Sequence, residues 1–310
     1  MEGGYRQGKA QHDRLASIPI FGLGQCSLDY IGKAAAYPPP DTKCEFTDMV
    51  IQGGGPVATA LVALSRWGLP CYMAGNVGDD AFGTTIRDSL DAEGLDTSGM
   101  ITRKGQSSQF AFIVSEADGG RRTIFWQRPT GRPLQPEELD LAVLKKSRML
   151  HTDGLFREAS LFACRKAKEA GIPVIVDAGT LREGMLDIAR VSDCFIASET
   201  FSRALAPDPW ESCRIMAGLG AHFVGVTLGG NGYIALVNGR IIRKPAYPAP
   251  AIDTTGCGDV FHAGVIYGLV QGWAAEKCLD CGAWAAACVS TKMGGRSGIP
   301  TLRELHEKGY

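Results

Sequence analysis

Three features of the sequence point to an α/β protein with a mostly parallel central sheet and a small second sheet standing off it. Short β-rich runs alternate with longer helical stretches, the strand candidates are apolar throughout, and one region carries two strands with no helix between them. Apolar strands joined by helices imply βαβ units, whose sheet is covered on both faces. At 310 residues the chain is long enough for one large domain of this kind, or for one with a small appendage.

Taken in order, residues 1–17 lack the apolar stretch of a signal peptide and read as a flexible leader. A strand is expected at 18–24. Residues 28–55 are extended and helix-poor, interrupted by Pro38, Pro39 and Pro40. A helix at 56–68 opens on Pro56, whose missing N–H is harmless in a first turn. A strand follows at 70–78. Residues 105–134 hold two strands around the turn EADGGR, a β-hairpin. Further strands are expected at 148–154, 172–179 and 221–230, and a helix at 158–171 ends on Gly171 as a C-cap.

The composition excludes several classes of function. Thirty-two Lys+Arg against 33 Asp+Glu leave a net charge of -1, whereas a surface that tracks nucleic acid leaves a basic excess. No run of eighteen apolar residues is present, so no membrane-spanning helix is expected. The ten cysteines lie scattered in apolar segments and read as reduced core residues of a cytoplasmic protein. Cys278 and Cys281 form a CxxC, but on a helix this spacing merely shares a face, and no second ligand pair exists.

Several glycine-rich loops follow strands. FGLGQCS (21–27) lacks the third glycine and the helix of a dinucleotide fingerprint, and no Walker loop occurs. Gly53, Gly54 and Gly55 exceed what a turn needs, which favours close approach of a small ligand. TLGGNGYIAL (227–236) is either a hairpin turn or a phosphate-contacting loop. The decisive stretch is TTGCGD, running into an apolar helix near Asp259. Successive N–H groups at a helix N-terminus, free of Cβ atoms, form an anion hole. A capping aspartate, worth about 1 kcal/mol, needs no GxG before it. A carboxylate beside an anion hole has the layout for phosphoryl transfer, the reading being a kinase without a P-loop.

With DTTGCGDVFHAG, GGGPVATALVALSRWG and AGNVGDDAFG in one order, the chain from about Ile18 to Leu305 resembles the ribokinase-like (PfkB) family of carbohydrate kinases. The resemblance implies one kinase domain over 18–310. Its fold would be a ribokinase-like three-layer α/β/α sandwich with a small β-sheet lid, drawn from about 28–52 and 105–130, through which a homodimer often forms. It implies Asp259 as catalytic base, with Gly256, Cys257 and Gly258 as the anion hole. Asp29, Gly53, Gly54 and Gln109 would hold the sugar, and Thr227, Gly229, Gly232 and Ala283 the ATP, which decides the 227–236 loop for nucleotide. It further implies Mg2+, with Glu199 a candidate ligand, and in many members a monovalent cation such as K+ near Asp253 and Thr255.

Three positions depart from the family pattern. Ser198 and Phe201 stand where an Asn-x-x-Glu is common, Ala58 and Thr59 where an asparagine is usual, and Cys257 where Ala or Gly is frequent. A thiol at a helix N-terminus is expected to have a lowered pKa, so alkylation of Cys257 is expected to block ATP. Motifs such as GGGPVATA, GQSSQ and GGRSGIP look most like the branch containing 6-deoxy-6-sulfofructose kinase. There Lys43 would hold the anionic 6-substituent, a phosphate or sulfonate; Leu155 and Phe156 occupy the place of a second basic residue, with Arg157 beside them. Two alternatives stand: a nucleoside kinase, with Phe110, Phe112 and Trp126 walling a base, and a catalytically idle sugar-binding sensor. Hinge motion is expected at Gly53–Gly55, at Gly119–Gly120 and along 28–52.

Overall fold

A computed structural model describes residues 18–117 and 121–310; the expected leader at 1–17 and the glycine pair 119–120 lie outside the described residues. The main sheet has nine strands: β1 (Ile20–Leu23), β4 (Cys71–Gly78), β5 (Met100–Arg103), β8 (Met149–Thr152), β9 (Val174–Ala178), β10 (Cys194–Ser198), β11 (Phe223–Thr227), β12 (Tyr233–Val237) and β13 (Arg240–Lys244). Their order is β13-β12-β11-β10-β9-β8-β1-β4-β5, parallel except for the antiparallel β12 and β13. Every expected strand of the body is present, each somewhat shorter than its apolar run.

The pleat decides the layers, because neighbouring side chains point to opposite faces. Ile20, Met73, Ile175 and Ile196 pack with α1 (Pro56–Arg66), α8 (Cys257–Val270) and α9 (Ala275–Ser290). Phe21, Tyr72, Val176 and Phe195 face the other way. They pack with α4 (Arg157–Glu169), α5 (Met185–Ala189), α6 (Glu199–Leu205) and α7 (Pro209–Leu219). The result is helix, sheet, helix. Cys278 and Cys281 are buried free thiols on α9, which meets α8 so closely that a Cβ on Gly264 would lie 2.5 Å from the Gly282 Cα. Their spacing serves packing, and no group of three or more metal-ligating side chains exists among the described residues.

The second sheet runs β3-β2-β6-β7, from β2 (Ser27–Ala34), β3 (Asp48–Gly54), β6 (Phe110–Glu116) and β7 (Arg122–Gln127). Cross-strand partners share a face. The register therefore puts Asp29, Gln52, Ala111 and Trp126 on one face, and Tyr30, Ile51, Phe112 and Phe125 on the other. Ser115, on the first face, donates to the Ile252 carbonyl at 3.2 Å, so that face looks onto the body. The lid expected from the extended segment and the hairpin is thus a real sheet with an inner and an outer side.

In the main sheet the chain leaves β1 for β4 on one side and later returns to β8 on the other, a switch point that opens a crevice at the carboxyl ends of the strands. Gly24 lies there against Asp153, where a Cβ would come 2.4 Å from Oδ2, and the Gln25 N–H donates to that oxygen at 3.0 Å.

Candidate active site

The loop before α8 is built around the fully buried Asp253. Its Oδ1 accepts from the Thr255 N–H at 2.9 Å and hydroxyl at 2.7 Å, and its Oδ2 accepts from the Gly294 N–H at 2.9 Å. Gly256 then caps the helix at φ 76°, against Gly295, where a side chain would be strained and would clash. Gly258 is different: a Cβ there would meet nothing within 4 Å. The protein does not demand glycine at 258, so the open space before the first-turn amides of Cys257 and Gly258 suits an anion.

Asp259 stands in that first turn, where the helix dipole favours a carboxylate. Burial nevertheless pushes its pKa well above the usual carboxylate range, and the nearby Asp177 and Asp29 push the same way. Arg122 and Arg296 oppose them and lose. One turn along, the His262 Nδ1 lies 2.8 Å from the Gly258 carbonyl and 3.5 Å from Asp177 Oδ2, tying the first turn of α8 to the end of β9.

On one side of Asp259 the inner face of the lid offers Asp29. This buried carboxylate accepts from the Ser27 hydroxyl at 2.7 Å and is pushed up by burial. A Cβ on Gly54 would lie 2.0 Å from Asp29 Oδ2, and one on Gly53 would lie 2.5 Å from Arg296 Nη1. The two glycines therefore admit one charged group on each face of β3. Gln109, just before β6, accepts on its backbone carbonyl from the Leu28 N–H at 3.1 Å next to Asp29, and its side-chain amide oxygen is buried without a partner, as are both polar atoms of Asn76 on β4. The structure thus brings Asp29, Gly53, Gly54 and Gln109 together. Lys43 instead lies on the exposed loop between β2 and β3.

On the other side is a cavity of about 440 Å³, lined by Thr227, Gly229, Gly232, Ala283, Cys257 and Gly258 among others. The 227–236 stretch is an antiparallel β11–β12 hairpin, and its turn lines the cavity. Gly229 and Gly230 face open space, while Gly232, at φ 87°, packs on the Lys244 carbonyl. Glu199 lines the same cavity, with its Oε1 2.6 Å from Arg203. Ser198 caps α6 by accepting from the Phe201 N–H at 3.1 Å, and Phe201 is buried against Phe195. Ala58 and Thr59 are buried in α1. The departures at these positions are filled by packing and capping.

One expectation is overturned. Burial pushes the Cys257 thiol up to about 12, outweighing the Arg122 charge that favours the thiolate. Cys257 is an ordinary thiol, not an activated one. Arg157, beside the expected anion pocket, is engaged at the surface with Glu183 at 2.7 Å.

Several site residues were not singled out from sequence. Asp177 carried a signal, a carboxylate at the carboxyl end of an apolar parallel strand. Arg122 on β7 donates to the Thr254 hydroxyl on the loop before α8, and nothing local distinguishes it from Arg121. Arg182 is half-buried, donates Nη2 to the Asp153 carbonyl at 3.3 Å and leaves Nε buried without a partner. Burial lowers its pKa, the Asp153 and Asp177 carboxylates oppose that, and the charge of Arg128, which itself lies 4.9 Å over the Trp126 ring, adds to the lowering.

Comparison with known proteins decides the family. Residues 18–302 match the pfkB family carbohydrate kinase model. The chain belongs to this family. Among its relatives, fructokinase-1 of Zea mays is 27% identical, over 92% of this chain and 96% of that one. The same architecture, ribokinase-like, is found in the Arabidopsis thaliana ribokinase complexed with ribose and ATP. That structure has a TM-score of 0.79 and 22% identity, over 94% of this chain and 98% of that one. An Escherichia coli protein provisionally assigned as ribokinase II, in complex with ATP and Mg2+, has a TM-score of 0.78 and 22% identity, with the same shares covered. Members of this family are phosphotransferases, and no helix of the described residues is long and apolar enough to cross a membrane.

The residues of this kinase fit the ions such chemistry uses. Mg2+ keeps several waters and needs only one or two carboxylates beside substrate phosphates, and Glu199 lines the cavity to supply one. Asp253 is a buried carboxylate with no ion-paired basic side chain among the described residues, which suits a monovalent cation nearby.

Proposed function

We propose that this kinase transfers the γ-phosphoryl group of ATP to a hydroxyl of a small sugar that carries an anionic group. The observation that carries this reading is Asp259 at the mouth of an uncluttered helix N-terminus, with the buried carboxylate of Asp29 on one side and a glycine-lined cavity on the other. Asp29 and Gln109 accept and donate hydrogen bonds to the sugar hydroxyls, with Gly53 and Gly54 giving room. Asp259 takes the proton of the attacking hydroxyl, for which its raised pKa suits it. The amides of Gly256, Cys257 and Gly258 meet the negative charge of the transferred group, and Arg122 reaches over them from the lid. Thr227, Gly229, Gly232 and Ala283 hold the nucleotide. Mg2+, held by Glu199 through water, would neutralise phosphate charge, and K+ beside Asp253 and Thr255 would steady the anion-hole loop.

Support for an anionic sugar comes from Arg182, whose half-buried guanidinium has a spare Nε and a second cation, Arg128, nearby. A buried guanidinium nitrogen without a partner, close to a second guanidinium, suits a phosphate, sulfonate or carboxylate, although the Asp153 and Asp177 carboxylates also act on Arg182. Fructose 6-phosphate and 6-deoxy-6-sulfofructose remain the first candidates, with Arg182 and Arg128 in the role first given to Lys43. The nucleoside reading weakens, because Phe110 and Phe112 share the outer face of the lid and leave Trp126 alone on the inner face. The sensor reading leaves Asp259 and its open amides without a purpose.

The test is a coupled ADP-release screen with Mg-ATP over 6-anionic ketoses, a 2-keto sugar acid, fructose, ribose and adenosine, with and without K+. Turnover confined to anionic sugars is expected. Turnover confined to neutral sugars or adenosine would discard the Arg182–Arg128 site and keep Asp259.

A further inference from the structure

The wall of the 440 Å³ cavity formed by residues 245–251 has no regular structure, although Ala246, Tyr247, Ala249 and Ala251 line it. Such a loop, rich in proline and alanine, has little of its own to fix its shape. What holds it is Asp280, on α9. Asp280 Oδ1 accepts from Lys244 Nζ at 3.1 Å, and its Oδ2 accepts from the Tyr247 hydroxyl at 3.0 Å and the Tyr310 hydroxyl at 2.9 Å. The two hydroxyls lie 3.1 Å apart. Two protons thus serve three contacts, and the tyrosines act as one unit. Burial works against the Asp280 charge, but the bonds from Tyr310, Lys244 and Tyr247 hold its pKa below the usual range.

The placement is economical. Asp280, Ala283 and Ala287 recur at three and seven residues and share one face of α9, and both alanines line the cavity. Tyr310 is fixed in turn by Trp284 and Trp273, at ring distances of 5.6 and 6.2 Å. Neither Asp280 nor Tyr310 lines the cavity, so neither is a contact residue.

We propose that Asp280 and Tyr310 are positioning residues for the nucleotide, locking the Tyr247 ring as a fixed wall against which the purine base packs. The proposal rests on the nucleotide occupying this cavity. Without the lock, Tyr247 must be ordered on each binding event, which weakens ATP while leaving the sugar side and the chemical step alone.

Steady-state kinetics on the full chain test it. Tyr310→Phe and Asp280→Asn are each expected to raise KM for ATP about threefold to tenfold, the range of one lost hydrogen bond. The effect should fall on KM for ATP rather than on kcat or KM for the sugar. Tyr247→Phe combined with Tyr310→Phe should cost little more than either alone, because the two share a network. A lowered melting temperature with KM for ATP unchanged in both single variants would overturn the proposal, leaving a brace that serves stability only. Ala283→Phe, which fills the cavity, addresses the underlying reading separately. If that variant leaves KM for ATP untouched, the nucleotide binds elsewhere and the proposal falls with it.

Discussion

At the residue scale, Asp259 as the proposed base would act at a pH that its environment sets. A base acts as the carboxylate, so turnover falls as pH drops through its pKa. Burial, Asp177 and Asp29 raise that pKa, so the acid limb of kcat is expected above the ordinary aspartate value of about 3.9. Asp259→Asn should lower kcat about 10²- to 10⁴-fold, remove that limb and leave ATP binding by calorimetry largely intact. Cys257 makes the contrary case. Its thiol, pushed up to about 12 by burial, should resist iodoacetamide at pH 8, while the exposed Cys44 is labelled first, as peptide mass mapping would show. The pattern TTGCGD made Asp259 and its amides legible in the sequence, because glycine, aspartate and helix start are all local. Arg122, Arg182 and Arg296 were not legible, because each acquires its role from a partner more than twenty residues away.

At the scale of elements, the strands and helices of the body could be read from apolar runs, since a buried parallel strand has no polar face to confuse the pattern. The strands β5, β10 and β13 were not singled out: β5 and β13 are short edge strands, β13 mostly exposed, and β10 is a buried run of only five residues. The lid was legible as a hairpin and an extended segment, but its faces follow from register, which sequence does not print. One tie beyond the lid gives a pH-dependent prediction. Arg103, at the end of β5, meets Glu138 at 2.6 Å, and these hydrogen bonds hold the Glu138 pKa down to about 2. A depressed folded pKa contributes stability that is complete above the unfolded value of about 4.3 and is lost as pH falls through the folded one. Glu138→Gln should therefore cost about 1–2 kcal/mol at pH 7, and urea melts should show the gap closing towards pH 2.

At the scale of the whole molecule, the outer face of the lid is its most exposed apolar surface. Met49, Ile51, Phe112 and Phe125 are each about half exposed there, at 53%, 50%, 51% and 53%. A contiguous exposed apolar patch of this kind is the sort of surface that a partner covers. A second copy packed lid to lid would cover it, as the family resemblance implied. Phe125→Asp is expected to convert a dimer into a monomer by light scattering; a wild-type chain that is already monomeric would refute the assignment. The inner face has a different consequence. Arg122 and Ser115 bond the lid to the loop before α8 at Thr254 and Ile252; if the sugar enters beneath the lid, as proposed, those two bonds must part first. Arrival then becomes a gated event. The observed association rate should climb with sugar concentration and level off at the opening rate of the lid, a plateau that stopped-flow fluorescence of Trp126 is placed to record.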